Sequence, residues 1–215
     1  MTLILALTLA LQNETAELTF ARIEKALAQA KSLNIRCTVE LTKGDQKMSG
    51  EASVQLKGNA HRIVFQCPQY PVKDGRSRSD GVRVDLTPPR PVGETEWPAQ
   101  GTLNDSLKVA LLRRGCFELE KIPSDIQFFR SVPAEKLVVS GFKFGDGAEG
   151  VRPLLFTLQG RVEVQLWVDA KTLALQKRVM TVLDPAGKPV ATVTELYKTF
   201  TLNAEIPDAT FKLQD

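Results

Sequence analysis

The closing stretch of the sequence, residues 162–213, constrains the fold more than any other segment because apolar and polar side chains alternate along it. Three runs show this period of two: Val162, Val164, Leu166 and Val168, then Leu175, Val179 and Leu183, then Val190, Thr192, Thr194, Leu196 and Phe200. Such a period, rich in β-branched residues, is typical of strands with one buried face. Asp169 and the Asp184-Pro185 pair supply turn chemistry between the runs. The stretch therefore predicts an antiparallel meander.

Composition allows one domain and argues against several functions. A chain of 215 residues, 43% of them hydrophobic, can form a single domain with a proper core. The net charge of +3, from 28 basic and 25 acidic side chains, is too small to favour nucleic acid as a partner. The single His61 and the three cysteines, Cys37, Cys67 and Cys116, lack metal-ligand spacing. We therefore expect neither a metal nor another cofactor.

The first residues have the features of an export signal. Residues 3–11 form an apolar run of signal-peptide length, although no Lys or Arg precedes it. This run is too short to span a membrane as a helix, which needs about 20 apolar residues. We expect residues 1–12 to be a signal-like or otherwise apolar segment, residues 13–215 to be a single domain, and the protein to be periplasmic or otherwise exported. The alternative is a buried N-terminal segment.

Two segments have helical periodicity. In residues 14–32, one face carries Phe20, Ile23, Leu27 and Ala30, and either Asn13 or Thr15 suits the N-cap. In residues 104–112, which can extend to Cys116, the apolar face is formed by Leu103, Leu107, Ala110 and Leu111. Gly115 suits the C′ position of this second helix.

The remaining alternation predicts about nine strands at roughly ten-residue intervals, which favours one large antiparallel sheet or an open barrel. The polar segment after Pro68 is predicted to be a loop. So is the proline-rich segment 87–101, which contains Trp97.

Four local sequences then point to one superfamily. They are Leu166-Trp167-Val168-Asp169-Ala170-Lys171-Thr172, Leu175-Gln176-Lys177-Arg178, Thr194-Glu195-Leu196-Tyr197 with Phe200-Thr201-Leu202-Asn203, and Ile206-Pro207-Asp208-Ala209-Thr210-Phe211. Together with the order of elements, they resemble the outer-membrane lipoprotein carrier (LolA/LolB-like) superfamily. The resemblance implies an α+β, mainly antiparallel fold: a single, strongly curved, open (unclosed) β-barrel sheet with helices covering its concave face. Segment 87–101 does not align with the lid of such a carrier, and no residue matches the carrier's closing arginine.

The resemblance implies an exported soluble carrier or binder of lipid or lipoprotein acyl groups. Its further partner would be a membrane-bound donor or acceptor protein. The alternative is a periplasmic sensor or regulatory interaction module on the same fold, because fold does not fix function. Catalysis is not expected: the sequence has no GxSxG, Walker or dinucleotide motif, and His61, at the start of a strand, is predicted to be exposed.

Apolar strand residues are the candidates for lining the implied cavity. They are Val39, Val54, Leu56, Phe65, Val84, Phe156, Leu166, Val179 and Leu196. The alternative is that these residues pack an ordinary core beneath the helices.

A few other residues have two readings each. Cys37 and Cys67 share an inward parity, so they form either a disulfide or two buried thiols. Trp167 and Trp97 either contact a ligand or membrane surface, or pack on the protein. The basic residues Arg76, Arg78 and Arg83 form either a solvated edge or a surface for acidic head groups.

Overall fold

One antiparallel sheet of eleven strands forms the described part of the chain, with two α-helices against one of its faces. The computed structural model describes residues 14–68, 70–77, 82–87, 90–96, 100–119, 132–147 and 152–212. Of residues 70–77, 82–87, 90–96, 100–104 and 106 it describes the backbone alone. The predicted fold class, α+β with a single open sheet, is confirmed.

The strands follow each other along the sheet with one exception. They are β1 Ser32–Lys43, β2 Gln46–Lys57, β3 Ala60–Cys67, β4 Tyr70–Ser77, β5 Val82–Thr87, β6 Arg90–Glu96, β7 Val139–Phe144, β8 Leu154–Leu158, β9 Val162–Val168, β10 Leu175–Leu183 and β11 Pro189–Leu202. Their spatial order is β6-β5-β4-β3-β2-β1-β11-β10-β9-β8-β7. Two meanders, β1–β6 and β7–β11, therefore meet at the pairing of β1 with β11. Strands β6 and β7 are the two edges, so the sheet is open.

Two strands lie where loops are predicted. Strand β4 pairs with β3 and β5, and β6 pairs with β5, all antiparallel, with one register shift in the β3–β4 pairing and one in the β5–β6 pairing. The loop predictions for the segment after Pro68 and for residues 87–101 are therefore wrong over these strands. Backbone pairing does not require apolar alternation, so polar residues and prolines gave no signal of it.

The predicted turns of the closing meander are confirmed. Asp169 Oδ1 accepts hydrogen bonds from the backbone N–H groups of Lys171 and Thr172, at 2.9 and 2.8 Å. Asp184 Oδ1 accepts two more, from Ala186 and Lys188, each at 2.8 Å. Each aspartate thus replaces the backbone partners that a reversing chain loses.

The helices begin and end at capping residues. Helix α1, Ala16–Gln29, begins after Thr15, whose side chain accepts a hydrogen bond from the N–H of Leu18. Helix α2, Gln100–Arg114, starts four residues before the predicted start at residue 104, and Gly115 follows its last residue. Gly115 has φ +78°, and its N–H bonds to the carbonyl of Leu111. This is the left-handed C-terminal residue that glycine was predicted to supply.

The core lies between the helices and the inner face of the sheet. Phe20 of α1 packs against Phe142 and Phe156, with ring centroids 5.1 and 5.0 Å apart. After α2, Phe117 opens a short 3-10 helix, Phe117–Leu119, and packs edge-on against Phe65 of β3. Neither helix is long and apolar enough to cross a membrane, within the residues described.

Candidate functional site

The inner face of the sheet, which the helices cover, is the candidate binding surface. Six of the nine candidate residues lie there in one apolar cluster, each at most 3% exposed: Val39, Val54, Leu56, Phe65, Phe156 and Leu166. Val84 lies on β5, where only the backbone is described, in register with Arg76 and Glu94. That these residues line a ligand cavity stays a prediction.

The prediction that Val179 and Leu196 share this face is wrong. Leu196 is 45% exposed, and Val179 lies on the outer face between the buried Arg178 and Met180. Strand β10 has a bulge at Gln176 against β9, and β11 has one at Lys198 against β1. One extra residue reverses the faces of all later side chains. If the alternation is continued along the sequence through either bulge, residues of the outer face are therefore assigned to the inner face.

The two bulges leave an arginine and a glutamate on the apolar inner face. Arg178 and Glu195 are directly opposite each other on β10 and β11, and both are 0% exposed. In register, Val39 of β1 flanks the glutamate and Leu166 of β9 flanks the arginine. The polar pair therefore lies in the same row as two of the predicted lining residues.

Arg178 binds the C-terminal end of helix α2. Its Nη1 donates to the carbonyl oxygens of Leu111 and Leu112, at 3.1 and 2.6 Å, and its Nη2 donates to that of Arg113. The last carbonyls of a helix lack intrahelical partners and carry the negative end of its dipole. A buried guanidinium from the sheet thus satisfies three of them at once.

Glu195 binds the chain just beyond the helix. Its Oε1 accepts a hydrogen bond from the N–H of Phe117 at 2.8 Å, and its Oε2 accepts one from the hydroxyl of Tyr197. Burial raises the pKa of Glu195, and the Arg178 charge, the tyrosine hydroxyl and backbone N–H groups oppose that rise. Burial, followed by the charge of Glu195, raises the pKa of Tyr197 well above its ordinary value, so the phenol keeps the proton it donates.

Two side chains of helix α2 bind helix α1 or the residue that follows it. Lys108 Nζ donates to the carbonyls of Ala28 and Ala30, at 3.3 and 2.9 Å, near the end of α1. Arg113 Nη2 lies 2.8 Å from Glu24 Oε1. The helices are therefore bound to each other, and Arg178 and Glu195 bind the C-terminal end of α2 to the inner face of the sheet.

The cysteine pairing suggested by strand parity is wrong. All three cysteines are free and buried. Strand β2 separates Cys37 from Cys67: Cys37 is in register with Ala52, and Cys67 adjoins the Gly50 position of β2. Two strand spacings of about 4.8 Å exceed the Cα separation that a disulfide can bridge. The neighbouring Cys37, together with burial, raises the pKa of the Cys116 thiol well above its ordinary value.

The remaining predictions have mixed outcomes. His61 is 1% exposed on the inner side of β3, so the prediction of an exposed histidine is wrong. Trp167 is half-buried on the outer face, where Lys177 Nζ lies 4.8 Å from its ring centroid. Trp97 and Arg78 lie outside the described residues, and Arg76 and Arg83 are described by backbone alone.

The outer face carries a polar groove of about 470 Å³. Its charged lining residues are Arg36, Arg62, Lys198 and Glu51, and Thr210 of the C-terminal 3-10 helix Asp208–Phe211 adds to the lining. Lys198 Nζ lies 2.8 Å from Glu51 Oε1. In the part of the chain described, no three His, Cys, Asp or Glu side chains gather as a metal site requires.

Comparisons with known proteins add similarities of fold. No family model and no curated protein matches the sequence. Among solved structures, the chain is similar to a LolA superfamily protein from Nitrosomonas europaea, with 12% identity, coverage of 93% of this chain and 98% of that one, and a TM-score of 0.41. The chain is also similar to the lipoprotein LppX from Mycobacterium tuberculosis, with 9% identity, coverage of 87% of this chain and 95% of that one, and a TM-score of 0.42. For MucB in complex with MucA from Pseudomonas aeruginosa, the identity is 13%, the coverage is 93% of this chain and 61% of that one, and the TM-score is 0.42.

Sequence reasoning missed the buried polar pair, although a signal for it was present. Lys177-Arg178 and Thr194-Glu195-Leu196-Tyr197 belong to the segments that carry the superfamily resemblance. A charged residue in a strand is ordinarily assigned to the solvent side. Only the positions of the bulges reveal that these charges face inward.

The raised pKa of Glu195 predicts a pH dependence of stability. Between the ordinary pKa of a glutamate, about 4.3, and the raised folded value, the folded chain keeps a proton that the unfolded chain has lost. The free energy of unfolding should therefore fall as pH rises through this window, by at most about 1.4 kcal/mol per pH unit. In Glu195→Gln, which cannot ionise, this decline should disappear. Urea unfolding at several pH values from 5 to 8 measures it.

Glu51→Gln is the matched control. Glu51 is exposed, and Lys198 lowers its pKa by a hydrogen bond and by charge, so it titrates below this window. The control should keep the pH slope of the wild type. Equal slopes in wild type and Glu195→Gln would contradict the assignment to Glu195.

Proposed function

We propose that this protein is an exported, non-catalytic carrier or binder of lipid or lipoprotein acyl groups, which bind on the inner face of the sheet. The observation that carries the proposal is the extent of that face: apolar side chains from both meanders form one surface, which also includes the buried Arg178, Glu195 and His61. The sequence resemblance of residues 166–211 to the LolA/LolB-like superfamily supports it further.

An acyl chain is well suited to such a surface. Its transfer from water contributes roughly 0.8 kcal/mol per CH₂ and needs no catalytic group. Helix side chains occupy parts of the inner face: Phe20 of α1 packs on Phe156, and Phe117 of the 3-10 helix Phe117–Leu119 packs on Phe65. Binding therefore requires an acyl chain to replace helix side chains. The polar attachments of α2 determine how readily this layer moves.

The proposal includes a location, partners and domain limits. Residues 1–12 are a signal-like or otherwise apolar N-terminal segment, and residues 13–215 form the binding domain in the periplasm or another exported location. A membrane-bound donor or acceptor protein supplies or receives the acyl group.

The test uses the full domain and a photoactivatable palmitate analogue with a mid-chain diazirine. We expect saturable labelling that unlabelled palmitate competes away. On β3 the label should fall on Ile63 and Phe65, which are buried on the inner face, and spare Val64 and Gln66 between and beside them. Fragmentation mass spectrometry distinguishes these positions. Labelling of Val64 and Gln66 instead would reject inner-face binding.

Two variants of helix α1 sharpen this test. Phe20→Ala removes a ring that an acyl chain must otherwise displace, whereas Leu18→Ala alters a side chain that is 59% exposed on the same helix. Phe20→Ala should bind a fluorescent fatty acid about tenfold more tightly, because the space accepts about two more methylenes. Leu18→Ala should bind it like the wild type.

A second candidate is an interaction or sensor module, favoured by the outer face. That face carries the polar groove, and Leu196 and Val190 are 45% and 46% exposed. A partner protein that is retained by delipidated protein, together with no inner-face labelling, would select this function over the first.

A further inference from the structure

The polar groove of the outer face has the size of a small-ligand site. Its volume is about 470 Å³, and residues of β1, β2, β3 and β11 line it. The 3-10 helix Asp208–Phe211 packs against β3 and adds Thr210 to the lining. Lys57 holds this helix in place, since its Nζ lies 2.6 Å from Asp208 Oδ1 and donates to the carbonyl of Ile206 at 2.9 Å. Ligand sites in proteins commonly have volumes of about 300–1,000 Å³.

Two arginines of neighbouring strands line the groove on the two sides of β2. Arg36 of β1 is exposed and is in register with Ser53 of β2. Arg62 of β3 is half-buried and is in register with Gln55, two residues further along β2. The arginines therefore flank two polar residues of the strand between them.

A third basic residue, Lys198, owes its position to the bulge in β11. It is the extra residue opposite the step from Arg36 to Cys37, and its side chain is 59% exposed. Its Nζ lies 2.8 Å from Oε1 of Glu51 on β2. The bulge therefore places an ammonium group on the outer face, next to the residue that pairs with Arg36.

Glu51 is the acidic residue in the described lining of the groove. A hydrogen bond from Lys198 and the charge of that lysine lower the pKa of Glu51, and the charge of Arg36 lowers it further. Glu51 is therefore ionised at neutral pH. Three positive charges and one negative charge leave an excess of two positive charges in this lining.

We propose that this groove binds a soluble phosphorylated sugar or polyol. A phosphate monoester carries nearly two negative charges at neutral pH, which matches the excess of positive charge in the groove. Guanidinium groups donate paired hydrogen bonds to phosphate oxygens. Hydroxyl and amide groups that suit the hydroxyls of a sugar come from Ser53, Gln55, Gln66 and Thr210.

The charges and shape of the groove favour a small ligand over a membrane surface. Anionic bilayers attract clusters of about four to eight basic residues. The described lining has three, and Glu51 opposes them. The site also lies on the face of the sheet opposite the apolar cluster, so it does not depend on what the inner face binds.

The test titrates the full domain with glucose 6-phosphate at low salt by isothermal titration calorimetry. We expect saturable binding at one site. Glucose, which lacks the phosphate, should give no binding heat. Vesicles of phosphatidylcholine with phosphatidylglycerol, mixed with the same protein and sedimented, test for a membrane surface and should retain little of it.

Substitutions in the groove should change the affinity in opposite directions. Arg36→Gln should weaken the binding of glucose 6-phosphate about tenfold, because hydrogen bonds to a charged group are lost. Glu51→Gln should strengthen it roughly threefold, because a negative charge near the phosphate is removed. Both side chains are exposed, so neither change should prevent folding, which circular dichroism checks.

Lys188→Gln is the matched control, because it removes one positive charge from an exposed turn outside the groove. Its affinity should equal that of the wild type. The proposal is overturned if glucose 6-phosphate does not bind saturably, or if Lys188→Gln weakens binding as much as Arg36→Gln. Vesicle binding without binding of glucose 6-phosphate would also overturn it, in favour of a membrane surface. None of these results bears on acyl-chain labelling of the inner face.

Discussion

Replacing Arg178 with methionine is expected to lower the free energy of unfolding by about 3–5 kcal/mol. The guanidinium is fully buried and donates to the carbonyls of Leu111, Leu112 and Arg113. Methionine fills similar space but leaves these carbonyls without donors and Glu195 without its opposite charge. Urea unfolding followed by circular dichroism measures the loss. The decline of stability with rising pH should also become steeper, because the lost positive charge lets the pKa of Glu195 rise further.

Lys177→Met is the matched control for Arg178→Met. Lys177 is the preceding residue, faces outward and contacts the ring of Trp167, so its loss should cost less than about 1 kcal/mol. A double variant, Arg178→Met with Glu195→Leu, should recover much of the lost stability, because a buried pair replaced by apolar residues is often neutral. An Arg178→Met chain as stable as Lys177→Met would contradict the role of the arginine.

Gly115→Ala is expected to destabilise the chain by about 2–5 kcal/mol. The residue has φ +78°, a conformation that strains any residue with a Cβ. A Cβ at this position would also lie 2.6 Å from Oε1 and 2.8 Å from Cδ of Glu195. The carboxylate cannot move away cheaply, since it is buried and bound by Phe117 and Tyr197. Thermal and urea unfolding both report the loss.

Gly187 offers a control that separates backbone strain from the carboxylate contact. It has φ +80°, and a Cβ there would meet nothing within 4 Å. Gly187→Ala should therefore cost only the strain of about 1–2 kcal/mol. In a Glu195→Ala background, Gly115→Ala should fall to the same cost. If Gly115→Ala and Gly187→Ala lower the free energy of unfolding equally in the wild-type background, the close contact with Glu195 does not destabilise Gly115→Ala.

The sequence predicts the architecture where local chemistry decides it. Asp169 and Asp184 form the turns that their side chains favour, and Thr15 and Gly115 limit the helices as expected. Alternation also identifies the inner residues of the uninterrupted strands, such as Val54 and Phe65. These features depend on neighbouring residues alone, so no knowledge of the tertiary structure is needed.

Features that depend on how one strand pairs with another are not predictable in this way. The bulges at Gln176 and Lys198 exist only relative to β9 and β1, so a single run of sequence gives no sign that its faces reverse. The wrong positions of Val179 and Leu196 and the missed Arg178–Glu195 pair have this one cause. Strands β4 and β6 were missed because partners on the sheet, rather than their own apolar pattern, organise them.

The pairing of β1 with β11 has a consequence for how the protein forms. Every other strand pairs only with its neighbours in sequence, so each meander can assemble from short-range hairpins as the chain emerges. The β1–β11 pairing joins residues as distant as Leu33 and Leu202 and needs nearly the whole chain to be present. Because closure of a long loop is slow and costly in entropy, we expect it to be the late step of folding. The middle of the sheet would then be its last part to be completed, with the edge of β1 exposed until β11 arrives.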